Sequence, residues 1–256
     1  MNPIEKFNSR ADKINSLLCV GLDPVEPGQF EFNKRIIDQT AQFAAAFKPN
    51  IAFYEAYGEQ GLKELKLTME YLQKNYPDIF TICDAKRADI GSTNEGYVKA
   101  IFDYFGFDAM TLHPYLGAEA LEPFLSRKDK ASIILCRTSN PGAGELQDLQ
   151  SDGKPLWQIV AEKISKEWNK NNNCMLVVGA TYPVELKKIR EIAGDMTFLV
   201  PGVGAQGGSV KEAVQAGINS KGKGMIINSA RGIIFAADPA AEAKKLRDEI
   251  NQYRNV

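Results

Sequence analysis

Short apolar runs alternate with helix-patterned segments eight times along the 256 residues of the chain, about 32 residues to a unit. Strands are expected over 17–22, 46–49, 80–83, 109–112, 132–136, 175–178, 197–200 and 224–227. Helical periodicity is expected over 33–45, 58–75, 93–105, 118–125, 155–169, from Pro183 onward, and over 209–216 and 239–253. Alternation of this kind implies parallel strands joined by helical crossovers. Eight units of this size point to an α/β fold of the closed (β/α)8 barrel type rather than an open doubly wound sheet. A length near 250 residues suits one such barrel, and no linker, low-complexity tract or composition shift divides the chain. Residues 1–256 are therefore expected to form a single barrel domain.

The totals exclude several classes. With 31 basic against 32 acidic residues, no nucleic-acid partner is expected. Cys19, Cys83, Cys136 and Cys174 each sit in an apolar run without a CxxC, which fits buried free thiols in a reducing compartment. The start of the chain lacks the apolar core of a signal peptide, and no apolar run approaches the roughly 18 residues of a membrane helix. A cytoplasmic protein with no membrane partner is expected. His113 is the single histidine, so a His-rich zinc site is out of reach. Placed before Pro114, it is expected to be a structural hydrogen-bonder.

Barrel active sites lie at the C-terminal strand ends. Asp23, Lys48, Asp84, Lys86, His113, Ser139, Thr181, Pro201 and Arg231 all stand at or just past such ends. The densest group is Asp84-Ala85-Lys86-Arg87-Ala88-Asp89, where the third strand runs into charge. Side chains two apart on a strand share a face, so Asp84 and Lys86 point the same way. Carboxylates bracketing an ammonium keep it protonated. The spacing alone leaves two readings open, a solvated loop with a weak ion pair or a fixed cation with a proton to give.

Pro201-Gly202-Val203-Gly204-Ala205-Gln206-Gly207-Gly208 follows the seventh strand and opens a helix. It formally matches GxGxxG, yet the dinucleotide pattern belongs to a first βαβ unit with an acid about 20 residues on. Here the next strand ends at Asn228-Ser229 without one. In a barrel, the loops after strands seven and eight commonly build a phosphate site with a helix N-terminus. Arg231, in Asn228-Ser229-Ala230-Arg231-Gly232, can add a bidentate charged contact. The polar loop from Arg137 to Lys154 is long enough to be functional, and it is expected to close over a ligand.

Taken together, DAKRADIGSTN, VGLDP near the N-terminus, a lysine closing strand two, TSNPGAG, VPGVGAQGG and NSARG resemble the orotidine 5′-phosphate decarboxylase family, in its bacterial type 2 branch. The resemblance runs in order from about Leu17 to Arg231. It implies decarboxylation of orotidine monophosphate to uridine monophosphate, the last step of de novo pyrimidine synthesis, with no metal and no organic cofactor. By the family pattern Lys48, Asp84, Lys86 and Asp89 correspond to a catalytic charged tetrad, with Lys86 the proton donor. Asp89 and Thr93 correspond to residues from the partner subunit, so a homodimer is implied. Asp23 matches a ribose contact, Ser139 a pyrimidine contact and Gln206 a bridge between base and phosphate. Pro201, Gly207 and Arg231 fall in the phosphate-binding segments, Arg231 as the clamp.

The chemistry suits these residues. Loss of carbon dioxide from the pyrimidine C6 leaves a carbanion with no neighbouring carbonyl to delocalise it, so a preorganised ammonium must stabilise the charge and then deliver a proton. Two rivals stand beside this: a metal-dependent sugar-phosphate decarboxylase or synthase of the same superfamily, and an inactive barrel that only binds a nucleotide. The second does not explain why charge as costly as the tetrad would be buried.

Overall fold

The computed structural model describes residues 2–203 and 207–254. Eight parallel strands close into a barrel: β1 (Leu18–Leu22), β2 (Ala46–Pro49), β3 (Phe80–Arg87), β4 (Ala109–Leu112), β5 (Ala131–Arg137), β6 (Cys174–Val178), β7 (Phe198–Pro201) and β8 (Met225–Ser229). Each strand pairs with its neighbours in chain order, and β8 returns to β1 through Leu18↔Ile227, Cys19↔Asn228 and Val20↔Ser229. The strands are buried on both faces, which is why they read as short unbroken apolar runs rather than alternating ones. Helices lie between them, among them Gln29–Thr40, Gly58–Asn75, Pro183–Ala193 and Pro239–Tyr253. The barrel class, and a strand and helix in every expected unit, are as the sequence indicates.

The differences have local causes. β3 runs four residues beyond the expected end at Cys83, because its charged residues stay in the sheet at the barrel mouth. The expected helices over 93–105 and 155–169 each change pitch, from α to π, at Lys99 and Ile164. The long connection after β5 holds a short 3₁₀ turn, a helical turn Gly144–Gln147, and a hairpin of Gln150–Ser151 with Lys154–Pro155. Asp152 and Gly153 form that hairpin's turn with φ of +52° and +72°, the left-handed pair a two-residue turn favours.

A helix not foreseen from the periodicity, Pro3–Ile14, closes the opposite end of the barrel. Asn2 caps it and Glu5 reaches back to the Asn2 amide, a reciprocal capping box, with Pro3 at the first helical position. Phe7 meets Phe80 edge to face at the start of β3, and Arg10 donates to the carbonyls of Ala41 and Ala44 just ahead of β2. A cleft lies at the other end, at the C-terminal ends of the strands.

All four cysteines are buried and unpaired in disulfides. Burial pushes the thiols of Cys19 and Cys174 up to about 12, so both stay protonated and unreactive near neutrality. Trp157 is in the core, and Trp168 packs against it.

Candidate active site

The strand ends open into a cleft of about 1030 Å³. Lys48, the third residue of β2, is 4% exposed, and its Nζ donates to Asp84 Oδ2 at 2.7 Å. Lys86 Nζ donates to the other oxygen, Oδ1, at 2.6 Å. One carboxylate thus joins two ammonium groups, one sealed from water and one half-exposed in the cleft. Backbone pairing sets this up. The edge of β2 continues past Pro49 as Asn50 bridges to Asp84, and Ile51 N–H donates to the Asp84 carbonyl. The solvated-loop alternative for Asp84 and Lys86 fails here, because Asp84 is 9% exposed and bonded on both oxygens.

The charge states follow from the surroundings. Burial alone would raise the Asp84 carboxyl, but Lys48 and Lys86 outweigh it and hold the group well below the usual carboxylate range. Burial alone would depress the Lys48 ammonium, yet Asp84 and Asp23 reverse this and the group is raised. Asp23, just past β1, also lines the cleft and accepts from Asn50 N–H at 3.3 Å. Burial pushes its carboxyl up, against the pull of Lys48.

Ser139, Pro201 and Arg231 line the same cleft. Ser139 comes close because Gly179 follows the end of β6, and a Cβ there would stand 2.9 Å from the Ser139 backbone nitrogen. Beyond β7 the chain turns at Gly202 and again at exposed Gly207, with φ of +95° and +85°. Between them Val203 bridges Gly208, and Gly208 N–H donates to the Gly202 carbonyl at 3.1 Å. A Cβ at Gly208 would meet that carbonyl at 2.7 Å, so the loop fold requires glycine there. Arg231 is exposed at the rim, and its guanidinium has no hydrogen-bond or ion-pair partner among the described residues. Gln206 lies outside the described residues.

Asp89 and Thr93 are not brought to this cleft within one chain. Asp89 Oδ1 accepts from its neighbour Ile90 N–H at 2.7 Å, and the Asp89 backbone is tied to Asn94. Thr93 is exposed on the following helix, Gly91–Val98. His113 stands just past β4 with its amide donating to the Arg87 carbonyl, and it does not line the cleft. Some cleft residues were not legible from the sequence, Asn50 and Thr111 among them. Asn50 carried no signal beyond following a strand, and Thr111 looks like any β-branched strand residue.

The loop after β5 is fastened at its root. Gln147 accepts from the Thr138 amide and donates to its hydroxyl, while buried Arg137 reaches Gln147 and Asp148 and lies 3.9 Å from the Tyr182 ring. Thr138 to Pro141 thereby form one wall of the cleft. Among the described residues no group of three or more His, Cys, Asp or Glu is arranged to hold a metal, and no helix is long and apolar enough to cross a membrane.

Residues 16–246 match the model of the orotidine 5′-phosphate decarboxylase / HUMPS family. The chain is 45% identical over 270 residues to orotidine 5′-phosphate decarboxylase of Ralstonia pickettii, covering 98% of both chains. It is 45% identical over 274 residues to the enzyme of the same name from Cellvibrio japonicus, covering 99% of this chain and 100% of the other. Among solved structures, OMP decarboxylase of Leishmania donovani superimposes with a TM-score of 0.94 at 42% identity, covering 99% of each. With the two lysines, the shared carboxylate and the glycine loop in one cleft, and with matches spanning nearly its whole length, the chain belongs to the orotidine 5′-phosphate decarboxylase / HUMPS family.

Proposed function

We propose that this chain, as one barrel domain, converts orotidine 5′-monophosphate to uridine 5′-monophosphate and carbon dioxide, the last step of UMP biosynthesis, using side chains alone. The bond from C6 to the carboxyl carbon breaks, and its electron pair stays on C6. Lys86 faces that pair as an ammonium, stabilises it electrostatically and transfers a proton to C6, then regains one from solvent. Asp84 orients Lys86, and Lys48 neutralises the carboxylate so that it can be buried beside a second cation. The observation that carries this is the shared Asp84 carboxylate, with Lys86 2.6 Å away and half-exposed into the cleft.

On this reading Asp23 meets the ribose, Ser139 the pyrimidine, and Gln206 bridges base and phosphate. Pro201, Gly207 and Arg231 hold the phosphate. Phosphate binding far from C6 supplies energy for closure of the loop after β5, which is binding energy used at the transition state. The chain acts as a homodimer in which Asp89 and Thr93 complete the partner's site. Neither residue lines the cleft of its own chain, which supports this, as does exposed Ile90 beside Asp89. Four buried free thiols fit a reducing cytoplasm.

The test is the fall in absorbance of orotidine monophosphate on adding purified protein with a chelator present. Decarboxylation that persists in chelator is expected. Activity that vanishes with the chelator and returns with added metal would favour the metal-dependent rival, and binding without turnover the inactive barrel.

A further inference from the structure

We propose that Thr111 is a positioning residue of this site, its hydroxyl fixing the backbone turn from which Lys86 projects and the carboxylate that Lys86 addresses. The proposal rests on the function given above.

The pairing of β3 with β4 is regular at Ile82↔Ala109 and Cys83↔Met110, and resumes at Arg87↔Leu112. Between these points Asp84, Ala85 and Lys86 face Thr111 alone, so β3 bulges at the catalytic residues. Lys86 takes a φ of +48° there, a left-handed conformation uncommon outside glycine. A backbone held in that region persists only where its surroundings fix it.

Thr111 does the fixing. The bulge leaves the amides of Ala85 and Lys86 without a ladder carbonyl, and both donate to Thr111 Oγ1 at 2.9 Å. A hydroxyl has two acceptor positions and one hydrogen. With both acceptor positions filled by N–H groups, the hydrogen is left for Asp84 Oδ1, 3.0 Å away. That is the same oxygen that accepts from Lys86 Nζ at 2.6 Å. Thr111 is 1% exposed, so water does not compete, and branching at Cβ limits its rotamers. The main chain of Lys86 and the acceptor of its side chain are therefore tied to one oxygen atom. Removing that oxygen should misdirect the ammonium while leaving the phosphate half of the cleft, on β7 and β8, untouched.

Thr111→Val keeps the shape and deletes the hydroxyl, and Thr111→Ser keeps the hydroxyl. For Thr111→Val, kcat should fall about 10- to 100-fold, the scale of a small misplacement at a reacting centre. KM and the affinity for uridine monophosphate should stay within about threefold. Thr111→Ser should keep kcat within about fivefold of wild type. Unchanged kcat in Thr111→Val, or an equal loss in Thr111→Ser, would overturn the proposal. If the valine chain does not fold, Thr111→Cys preserves the volume with a weaker hydrogen-bonding group, and kcat must still drop at constant KM. Amide exchange separates this proposal from the proposed activity. Ala85 and Lys86 should exchange at least tenfold faster in Thr111→Val, and unchanged protection would overturn the anchoring whatever the wild-type chain catalyses.

Discussion

Lys48 and Asp84 form an ion pair 2.7 Å long whose side chains are only 5% and 11% exposed. No other ion pair among the described residues has both partners so far from water. Such a pair adds little net stability over an apolar one, but breaking it strands a buried charge. Asp84→Ala should therefore destabilise the fold by about 3–5 kcal/mol, because it takes from buried Lys48 the carboxylate it is bonded to and leaves only Asp23 nearby. Lys48→Met should cost less, because Asp84 keeps Lys86 and Thr111 as partners. Denaturant unfolding of the two variants checks the order, and equal losses would contradict it.

The same pair gives stability a pH dependence with a definite sign. Burial opposes ionisation of Asp84, but Lys48 and Lys86 overcome it, so the folded carboxyl titrates below its unfolded value. Its contribution is then full above the unfolded value of about 3.9 and is lost as pH falls through the folded one. Below about pH 3.9 wild type should lose on the order of 1.4 kcal/mol per pH unit through this group, and Asp84→Asn should lack that component. Lys48 is raised, so its contribution is complete below the unfolded lysine value of about 10.4 and fades as pH rises past it. Unfolding free energies from neutral pH into acid check the first limb, and parallel curves for wild type and Asp84→Asn would contradict it.

Much of this was legible in the sequence because barrel strands are buried on both faces and stand out as apolar runs. Lys48 and Asp84 were legible because charge closing such a run has no packing explanation. The end of β3 was misplaced for the same reason, since Asp84 and Lys86 look like a strand stopping when they are a strand bulging. The helix Pro3–Ile14 had a signal in Asn2 and Glu5, three residues apart, as the hairpin had one in Asp152-Gly153. Thr111 had none, because its role comes from the register between two strands. Asp89 and Thr93 were legible only through the family pattern, for one chain does not bring them to the cleft.

Arg231 tests the phosphate half. Its guanidinium stands at the cleft rim without a protein partner among the described residues. Arg231→Ala should raise KM about 10- to 100-fold, the scale of losing a charge-assisted hydrogen bond, with little change in stability. Steady-state kinetics check this, and an unaltered kcat/KM would rule out the clamp.

A shared site makes a prediction about mixtures. Lys86→Ala and Asp89→Ala chains should each be inactive, and a mixed dimer should regain part of the activity by assembling one intact site from two defective chains. Turnover after subunit exchange checks this. No recovery, with exchange proven by differently tagged chains, would count against Asp89 acting across an interface.

The most direct measurement is decarboxylation of orotidine monophosphate by Lys86→Ala, made on protein that unfolds like wild type and still binds uridine monophosphate. Loss of both the charge stabilisation and the proton donor predicts a fall in kcat of roughly 10⁴-fold or more. A folded, ligand-binding Lys86→Ala chain that turns over within about tenfold of wild type would contradict the account.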